Sequence, residues 1–200
     1  MNTKTMFWLL LILLLGVGCS GAPEHELAGS VFEPPLPVPD FALAAATNPQ
    51  VHLSDYQGKY VYLYFGYTFC PDLCPDTLAR LAAARRQLDA AAAEQMQVIF
   101  ISVDPARDTP DHLAEYVQHF DDSFVGLTGT KEEIDAAGAP LGLFYELHEG
   151  SEASGYLVDH TSRTYLLDPA GNLIVTYPYD TAVEAFVADL RWLLENGESS

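Results

Sequence analysis

The segment most informative about the fold runs from Tyr60 to Pro75 and has the sequence YVYLYFGYTFCPDLCP. Its first six residues, 60–65, form a continuous aromatic and β-branched run, which is typical of a central strand buried on both faces. Proline is tolerated in an α-helix only in the first turn, so Pro75 predicts that a helix begins close to this point. The sequence therefore predicts a strand, a short turn and a helix, with Cys70 and Cys74 at the turn.

The rest of the chain continues the alternation of strands and helices. Strand–helix units imply parallel pairing, and a turn at 168–172 predicts a late hairpin that adds antiparallel strands. The predicted elements are strands at 41–43, 51–53, 98–103, 124–127, 143–147, 164–167 and 173–176, and helices over 75–93 and from Thr109, Thr130 and Asp180. We expect an α/β protein with a thioredoxin-like fold, in which helices flank a mixed central sheet and the first two weak strands form an extra N-terminal hairpin.

The N-terminus has the pattern of a targeting segment. A lysine precedes an apolar run at 6–15, and small residues follow it up to Cys19. The run is shorter than the roughly 20 apolar residues that span a bilayer, and the small residues before the cysteine resemble a bacterial lipoprotein signal. The predicted organisation is a signal peptide over 1–18, a lipid on Cys19, a flexible Pro-, Glu-, Gly- and Ser-rich tether over 19–36, and one domain over 37–197. We therefore expect a protein of the bacterial cell envelope, anchored to the membrane and facing the periplasm or extracytoplasmic space.

Composition and charge exclude several classes of partner. The chain has 200 residues, enough for one domain with a short appendage, and its 9 Lys+Arg against 28 Asp+Glu give a formal net charge of -19. A chain this acidic is repelled by phosphate backbones and by anionic membrane surfaces, so we expect no nucleic-acid binding. The acidity is typical of a well-solvated surface, and we expect a monomer.

The two cysteines of the turn are four residues apart. On a helical turn, such side chains share a face with roughly 5–6 Å between their Cβ atoms. This separation suits one metal ion held by both sulfurs and, with local adjustment, also permits a disulfide. Free N–H groups at a helix N-terminus stabilise a thiolate, which is both the nucleophile and the metal ligand, so activation does not decide between the two chemistries. An inert structural disulfide is the third interpretation, since exported proteins use disulfides freely.

A two-sulfur metal site needs a further ligand, and the residues alone do not select one. The six histidines are His25, His52, His112, His119, His148 and His160. The first lies in the predicted tether, and the next four lie on predicted peripheral strands or on an acidic helix. His160 lies in the sequence VDHT at the start of a late strand, but a lone histidine is more often structural than ligating.

Three motifs supply a further argument. They are FGYTFCPDLCP at 65–75, SVDPARDTP at 102–110 and DHTS at 159–162. Together and in this order the motifs resemble the Sco/SenC family of membrane-anchored copper proteins, which are needed to assemble the CuA centre of cytochrome c oxidase. The resemblance implies a thioredoxin-like fold, and it implies cytochrome c oxidase subunit II and a copper donor protein as partners.

The resemblance also assigns roles to individual residues. It implies that Cys70, Cys74 and His160 bind copper as Cu(I) and Cu(II), and that the two cysteines can form a redox disulfide. Soft thiolates suit Cu(I), and an imidazole lets the same site accommodate Cu(II). From its position beside His160, Asp159 could orient the imidazole from the second coordination shell or could equally be a solvated acid. Phe69 departs from the pattern, because many relatives carry histidine there.

Other functions are compatible with parts of the sequence. A thiol–disulfide oxidoreductase would use the same two cysteines, although ordinary thioredoxin chemistry has two intervening residues rather than three. A peroxidase would need a resolving cysteine that the domain lacks, and a blue-copper protein would be all-β with an axial methionine, for which only Met96 lies outside the signal. Zinc could also occupy two thiolates and an imidazole. The sequence favours a copper metallochaperone rather than a turnover enzyme.

Overall fold

The computed structural model describes residues 25–149 and 155–197. The predicted signal peptide and Cys19 lie outside these residues, as do five residues of the glycine-bounded loop before His160. Within the described ranges, no helix combines the length and the hydropathy that crossing a bilayer requires.

Ten strands and five α-helices are present in the described part of the chain. The strands are β1 Ser30–Pro37, β2 Ala42–Leu43, β3 Val51–His52, β4 Tyr60–Gly66, β5 Met96–Ser102, β6 Val125–Leu127, β7 Tyr145–His148, β8 Leu157–His160, β9 Thr164–Leu167 and β10 Asn172–Tyr177. The helices are α1 Leu73–Gln87, α2 Ala90–Gln95, α3 Pro110–Gln118, α4 Lys131–Gly138 and α5 Val183–Asn196. Short 3₁₀ turns lie at Leu53–Tyr56 and Ala139–Leu141.

A six-stranded mixed sheet forms the centre of the domain, with the strand order β1-β10-β9-β4-β5-β6. Every residue of β4 and β5 is buried, as their continuous apolar runs predict. Strand β4 pairs parallel with β5 and antiparallel with β9, so the prediction of a mixed sheet is confirmed. The parallel register ends with Gly66 opposite Ser102, so the loops after both strands leave the sheet at the same edge.

Two smaller antiparallel pairs lie outside this sheet. Strands β2 and β3 form the expected N-terminal hairpin, with only two residues in each strand. Strands β7 and β8 form a separate hairpin in which Tyr145 lies opposite His160. This second hairpin, called the histidine arm below (residues 145–148 and 157–160), carries His160 at its C-terminal end.

The helices differ from the prediction at two boundaries. The segment predicted as one helix over 75–93 is two helices, because the Asp89 side chain accepts a hydrogen bond of 2.9 Å from the amide of Ala92 and so caps a new start. Helix α5 begins at Val183 rather than directly after Asp180. The hydroxyl of Thr181 donates to the carbonyl of Pro178 at 2.8 Å, which closes a turn ahead of the helix.

The N-terminal part of the domain is longer than its composition suggests. Strand β1 (Ser30–Pro37) pairs with β10, although the sequence places all of its residues but Pro37 in the tether over 19–36. Just before β1, the amide of Ala28 donates to Asp189 at 2.9 Å, and Nε2 of His25 lies 2.8 Å from the same carboxylate. The buried Asp189 also accepts from the hydroxyl of Tyr177 at 2.9 Å. Polar, proline-rich composition predicts a tether, but backbone pairing and one buried carboxylate fix this segment on the domain.

Replacing Thr130 with alanine is expected to lower the free energy of unfolding by about 1 kcal/mol. The hydroxyl of Thr130 accepts from the amide of Glu133 at 3.2 Å, and the carboxylate of Glu133 accepts from the amide of Thr130 at 2.8 Å, which is the capping box that the sequence predicts. Urea unfolding measures the change, with the exposed Glu132→Gln in the same turn as the control. Equal stability of the two variants would contradict the assignment of the cap.

Candidate metal centre

Cys70, Cys74 and His160 converge at the edge of the sheet where β4 ends. One sulfur or nitrogen atom from each residue lies within 4.8 Å of the others. The sulfur of Cys74 is 3.4 Å from Nε2 of His160, across 86 residues of sequence. Both cysteines are free thiols, with Cys74 fully buried and Cys70 half-buried. The structure therefore brings the predicted residues together at a spacing that one metal ion can bridge.

Local structure explains how the two cysteines meet. Cys70 lies in the loop after β4, and its amide donates to the carbonyl of Tyr67 at 3.2 Å. Cys74 is the second residue of α1, and its amide approaches the sulfur of Cys70 at 3.4 Å. Pro75 follows in the first turn of α1, where its missing N–H costs nothing, as the sequence predicts. The free N–H groups of the helix start therefore face a sulfur atom.

Neighbouring aromatic rings and a carbonyl orient the imidazole of His160. Nδ1 lies 3.2 Å from the carbonyl oxygen of Thr161, and an Nδ1–H donated there would leave the lone pair of Nε2 for a metal ion bound beside the sulfurs. The rings of Tyr64 and Tyr67 each stand edge-on to the imidazole at 6.0 Å between centroids. The hydroxyl of Tyr64 also approaches the sulfur of Cys74 at 3.8 Å. The spacing of the sequence motifs does not predict these aromatic contacts.

Asp159 does not contact the imidazole of His160. Its side chain is 74% exposed, and its carboxylate lies 3.0 Å from Nε2 of His148, on the opposite strand of the histidine arm. Successive side chains of a strand point to opposite faces, so Asp159 and His160 face away from each other. The predicted orienting role of Asp159 is therefore wrong in this geometry, and the carbonyl of Thr161 occupies that place instead.

The two thiols have opposite electrostatic environments. Hydrogen bonds from the Cys74 thiol, then from His160 and from the amides of Asp72 and Cys74, lower the pKa of Cys70 to about 4 despite its partial burial. Burial, and next the neighbouring sulfur of Cys70, raise the pKa of Cys74 well above its usual range. In the metal-free protein one proton is held mainly at Cys74, while Cys70 carries the negative charge. The site therefore presents a thiolate at neutral pH.

This asymmetry predicts the pH dependence of alkylation in the metal-free, reduced protein. A depressed pKa keeps Cys70 ionised as the pH falls, so its reaction with iodoacetamide is expected to persist through pH 6 and to be lost only near pH 4. Cys74→Ala removes the hydrogen bond from the Cys74 thiol to Cys70, which is the largest cause of the low pKa of Cys70. The pH at which alkylation is half-maximal is therefore expected to rise toward that of an ordinary thiol. Mass spectrometry of the alkylated protein gives the rates. A wild-type midpoint near pH 9 would contradict the assignment.

A buried carboxylate within the motif at 102–110 supports the cysteine loop. Asp108 is fully buried and accepts hydrogen bonds from the amide and hydroxyl of Thr68, at 2.9 and 2.5 Å, and from the hydroxyl of Ser102, at 2.6 Å. Thr68 lies two residues before Cys70, and Ser102 ends β5. The network therefore joins the cysteine loop to the neighbouring strand.

The other histidines do not join the site. His25 binds Asp189, His52 lies 3.3 Å from Asp40, His119 contacts the carbonyl of Glu115, and His148 lies beside Asp159. His112 comes nearest to the cysteine loop, with Nε2 3.0 Å from the hydroxyl of Thr68 and its ring 6.2 Å from Phe69. Within the described residues, the only group of three or more potential ligands is the one that contains His160.

The general type of this protein follows from its fold and its site. A thiol pair after a central strand, at the start of a helix, with an imidazole completing the triad, is a metal-binding variant of the thioredoxin-like fold. Comparison with known proteins identifies the family: residues 33–195 match the SCO1/SenC family model, and the chain belongs to that family. The thioredoxin-like prediction is thereby confirmed.

Individual relatives agree with this assignment. The mitochondrial SCO1 homologue of Homo sapiens is 36% identical over 152 residues, which cover 76% of this chain and 50% of the human protein. The chain thus matches about half the length of that relative. Apo Sco1 of Thermus thermophilus is 40% identical with a TM-score of 0.78, and the match covers 86% of this chain and 99% of that structure. Arabidopsis thaliana ScoI, solved with copper bound, is 35% identical with a TM-score of 0.72 and covers 78% of this chain and 98% of that structure.

Proposed function

We propose that the protein is a copper-binding metallochaperone that assists assembly of the CuA centre of cytochrome c oxidase. The observation that carries the proposal is the convergence of Cys70, Cys74 and His160 within 4.8 Å. Two thiolates hold Cu(I), and the imidazole adds the harder ligand that Cu(II) requires. The copper-bound structure of the Arabidopsis relative supports copper as the cargo. The chain accordingly delivers a metal and does not turn over a substrate.

The proposal includes where the protein acts and with what. A lipid on Cys19 holds the domain at the outer face of a bacterial membrane, where the membrane-bound oxidase subunit II receives the copper. A copper donor protein loads the site. The half-buried Cys70 beside the fully buried Cys74 supports transfer by ligand exchange, because an incoming thiolate can reach the metal from the side of Cys70. We propose that the chain works as a monomer.

Copper titration of the reduced protein tests the site. One equivalent is expected to bind, and His160→Ala is expected to weaken Cu(II) binding by at least about 100-fold, since changes to outer contacts of a metal site alone cost roughly 10–100-fold. Cu(I) binding by the two thiolates is expected to persist in this variant. The matched control is His148→Ala, which removes an exposed histidine from the same hairpin. If His160→Ala leaves the Cu(II) affinity and absorption spectrum unchanged, the three-ligand site is wrong.

Assembly of the oxidase tests the biological role. In cells that carry His160→Ala or Cys74→Ala, oxidase activity is expected to fall most at limiting copper, when delivery of the metal limits assembly. Added copper is expected to restore part of the activity, and His148→Ala is expected to behave as wild type. Unchanged oxidase activity at all copper levels would contradict the role in assembly, even if the purified protein binds copper.

A thiol–disulfide oxidoreductase is the second candidate, and the low pKa of Cys70 favours it. The Cys70 thiolate would attack a partner disulfide and release one partner thiolate, and Cys74 would then displace the second while giving up its proton. The partner gains two electrons as the Cys70–Cys74 disulfide forms. Efficient reduction of model disulfides by wild type without measurable copper binding would support this function over the first.

A further inference from the structure

Arg107 contacts both segments that carry the three residues of the site. Its side chain packs over the ring of Phe69, with Cζ 4.6 Å from the centroid, and Phe69 directly precedes Cys70. Cζ also lies 3.6 Å from the centroid of Tyr156, and Nη1 donates to the carbonyl of Tyr156 at 2.9 Å. Tyr156 is the residue before β8, which ends at His160. One guanidinium therefore spans the cysteine loop and the histidine arm.

A buried carboxylate fixes the orientation of this guanidinium. Asp104 follows β5, its side chain is 2% exposed, and it pairs with Nε of Arg107. The hydroxyl of Tyr156 donates to the same carboxylate at 2.6 Å. The amide of Asp104 in turn donates to the hydroxyl of Ser102 at 3.0 Å, which ties the group to the central sheet. Arg107 and Asp104 thus present two hydrogen bonds and a stacking surface to Tyr156, the residue that directly precedes β8 of the arm.

The histidine arm depends on such contacts because it is not part of the six-stranded sheet. Its described links to the domain include the hydroxyl of Tyr145, which donates to Asp135 at 2.6 Å, the contact of His160 with Cys74, the hydrogen bond between Tyr67 and the backbone of the buried Val158, and the Tyr156 contacts. The Tyr67 and Tyr156 contacts both join the arm to the cysteine loop, and the Tyr156 contacts do so through the guanidinium stacked on Phe69. Loss of the Tyr156 contacts is therefore expected to loosen the end of the arm that precedes β8 and to let the imidazole move more freely relative to the sulfurs.

We propose that Arg107, held by Asp104, is a positioning residue that keeps the histidine arm closed on the cysteine loop and thereby slows the release of copper. The inference rests on the proposed function for its copper readout, but the closed arm is a property of the metal-free protein. Arginine suits this role better than lysine, because its planar fork can stack on two rings while donating in fixed directions. The described hydrogen bonds and ion pairs of Arg107 include neither cysteine, so the affinity for Cu(I) held by sulfur alone is expected to be independent of Arg107.

Hydrogen exchange of the metal-free protein tests the arm without copper. Arg107→Lys keeps the positive charge beside Asp104 but loses the directed bond to Tyr156, and Tyr156→Phe removes only the hydroxyl. Both variants are expected to lose protection at residues 157–160 while the amides of β4 and β5 keep theirs. Arg80→Lys, which changes a partly buried arginine that is paired with Asp76 on α1 and away from the arm, is the matched control.

Copper release provides the second readout. Cu(II) transfer to a chelator is expected to be about 10-fold faster in Arg107→Lys than in wild type. This is the lower end of the range by which changes to residues behind the metal ligands weaken metal sites. The affinity for Cu(I) is expected to be unchanged. Unchanged protection of the arm and unchanged Cu(II) release in both variants would overturn the inference. Uniform loss of protection across the sheet would also overturn it, because Arg107 would then only stabilise the fold. A wild type that binds no copper would refute the proposed function, and the exchange experiment would still decide whether Arg107 holds the arm.

Discussion

Gly66→Ala is expected to weaken copper binding roughly 10- to 100-fold, the range seen when contacts behind a metal ligand are altered. A Cβ atom at position 66 would lie 2.7 Å from the sulfur of Cys74 and 2.7 Å from a ring carbon of Phe100. Both neighbours are fully buried, so neither can move aside without repacking the end of β4. The sulfur is displaced from the position in which it faces His160. Because the backbone of Gly66 does not have a positive φ, the effect is steric rather than conformational.

A second glycine separates this effect from a general loss of stability. Gly66→Ala is also expected to cost about 1–3 kcal/mol through overpacking. Gly171→Ala costs a similar amount, about 1–2 kcal/mol, because Gly171 has φ +87, yet a Cβ atom there meets nothing within 4 Å. Gly171 lies in the turn between β9 and β10, away from the cysteines. Copper titration under conditions where both variants are folded should therefore show weak binding only in Gly66→Ala; equal affinities would contradict the steric argument.

Asp108→Ala is expected to lower the free energy of unfolding by about 3 kcal/mol or more. The substitution leaves the buried hydroxyl of Ser102 and the amide of Thr68 without their acceptor, and each unsatisfied buried group costs about 1–3 kcal/mol. Urea unfolding measures the loss. The control is Asp111→Ala, an exposed carboxylate in the first turn of α3, where a change within about 0.5 kcal/mol is expected.

The same substitution should act locally on the cysteine loop. Thr68 is held to Asp108 through both its amide and its hydroxyl, so the loop before Cys70 loses its attachment to β5 in Asp108→Ala. Faster exchange of the Thr68 amide, at a urea concentration where the variant remains folded, is the expected signature. If the amide keeps its wild-type protection and the stability is unchanged, Asp108 does not support the site.

Several elements could be predicted because their determinants are local. The buried run of β4, the Pro75 turn and the capping box at Thr130 each involve residues within a few positions of one another, and all three appear in the structure. Where the structure differs from the predicted elements, the cause is either pairing with a distant strand or a helix cap inside the predicted segment. Asp89 divided a helix that composition made continuous, and pairing with β10 converted part of the predicted tether into β1.

The metal site likewise has a part that local sequence predicts and a part that depends on distant contacts. The spacing of Cys70 and Cys74 places both at a helix start, but the residues alone could not choose among six histidines, and the resemblance to the Sco/SenC family supplied His160. The role expected of Asp159 failed because the alternation of side chains along β8 points it away from the imidazole. The contacts of Asp108 and Arg107 could not be predicted from the sequence, because the sequence does not show whether a charged side chain is buried or which distant residues it contacts.

Local sequence accounts for the central strand, the turn with two thiols and the helix that follows, since these depend on side-chain size, backbone restriction and hydrogen bonds between near neighbours. The assembled fold alone places His160, 86 residues beyond Cys74, at 3.4 Å from its sulfur and brings Arg107 and Asp104 against the segment that leads into β8. Contacts at such separation arise when the whole sheet assembles and closes the intervening chain, and no local pattern records which side chains then face one another.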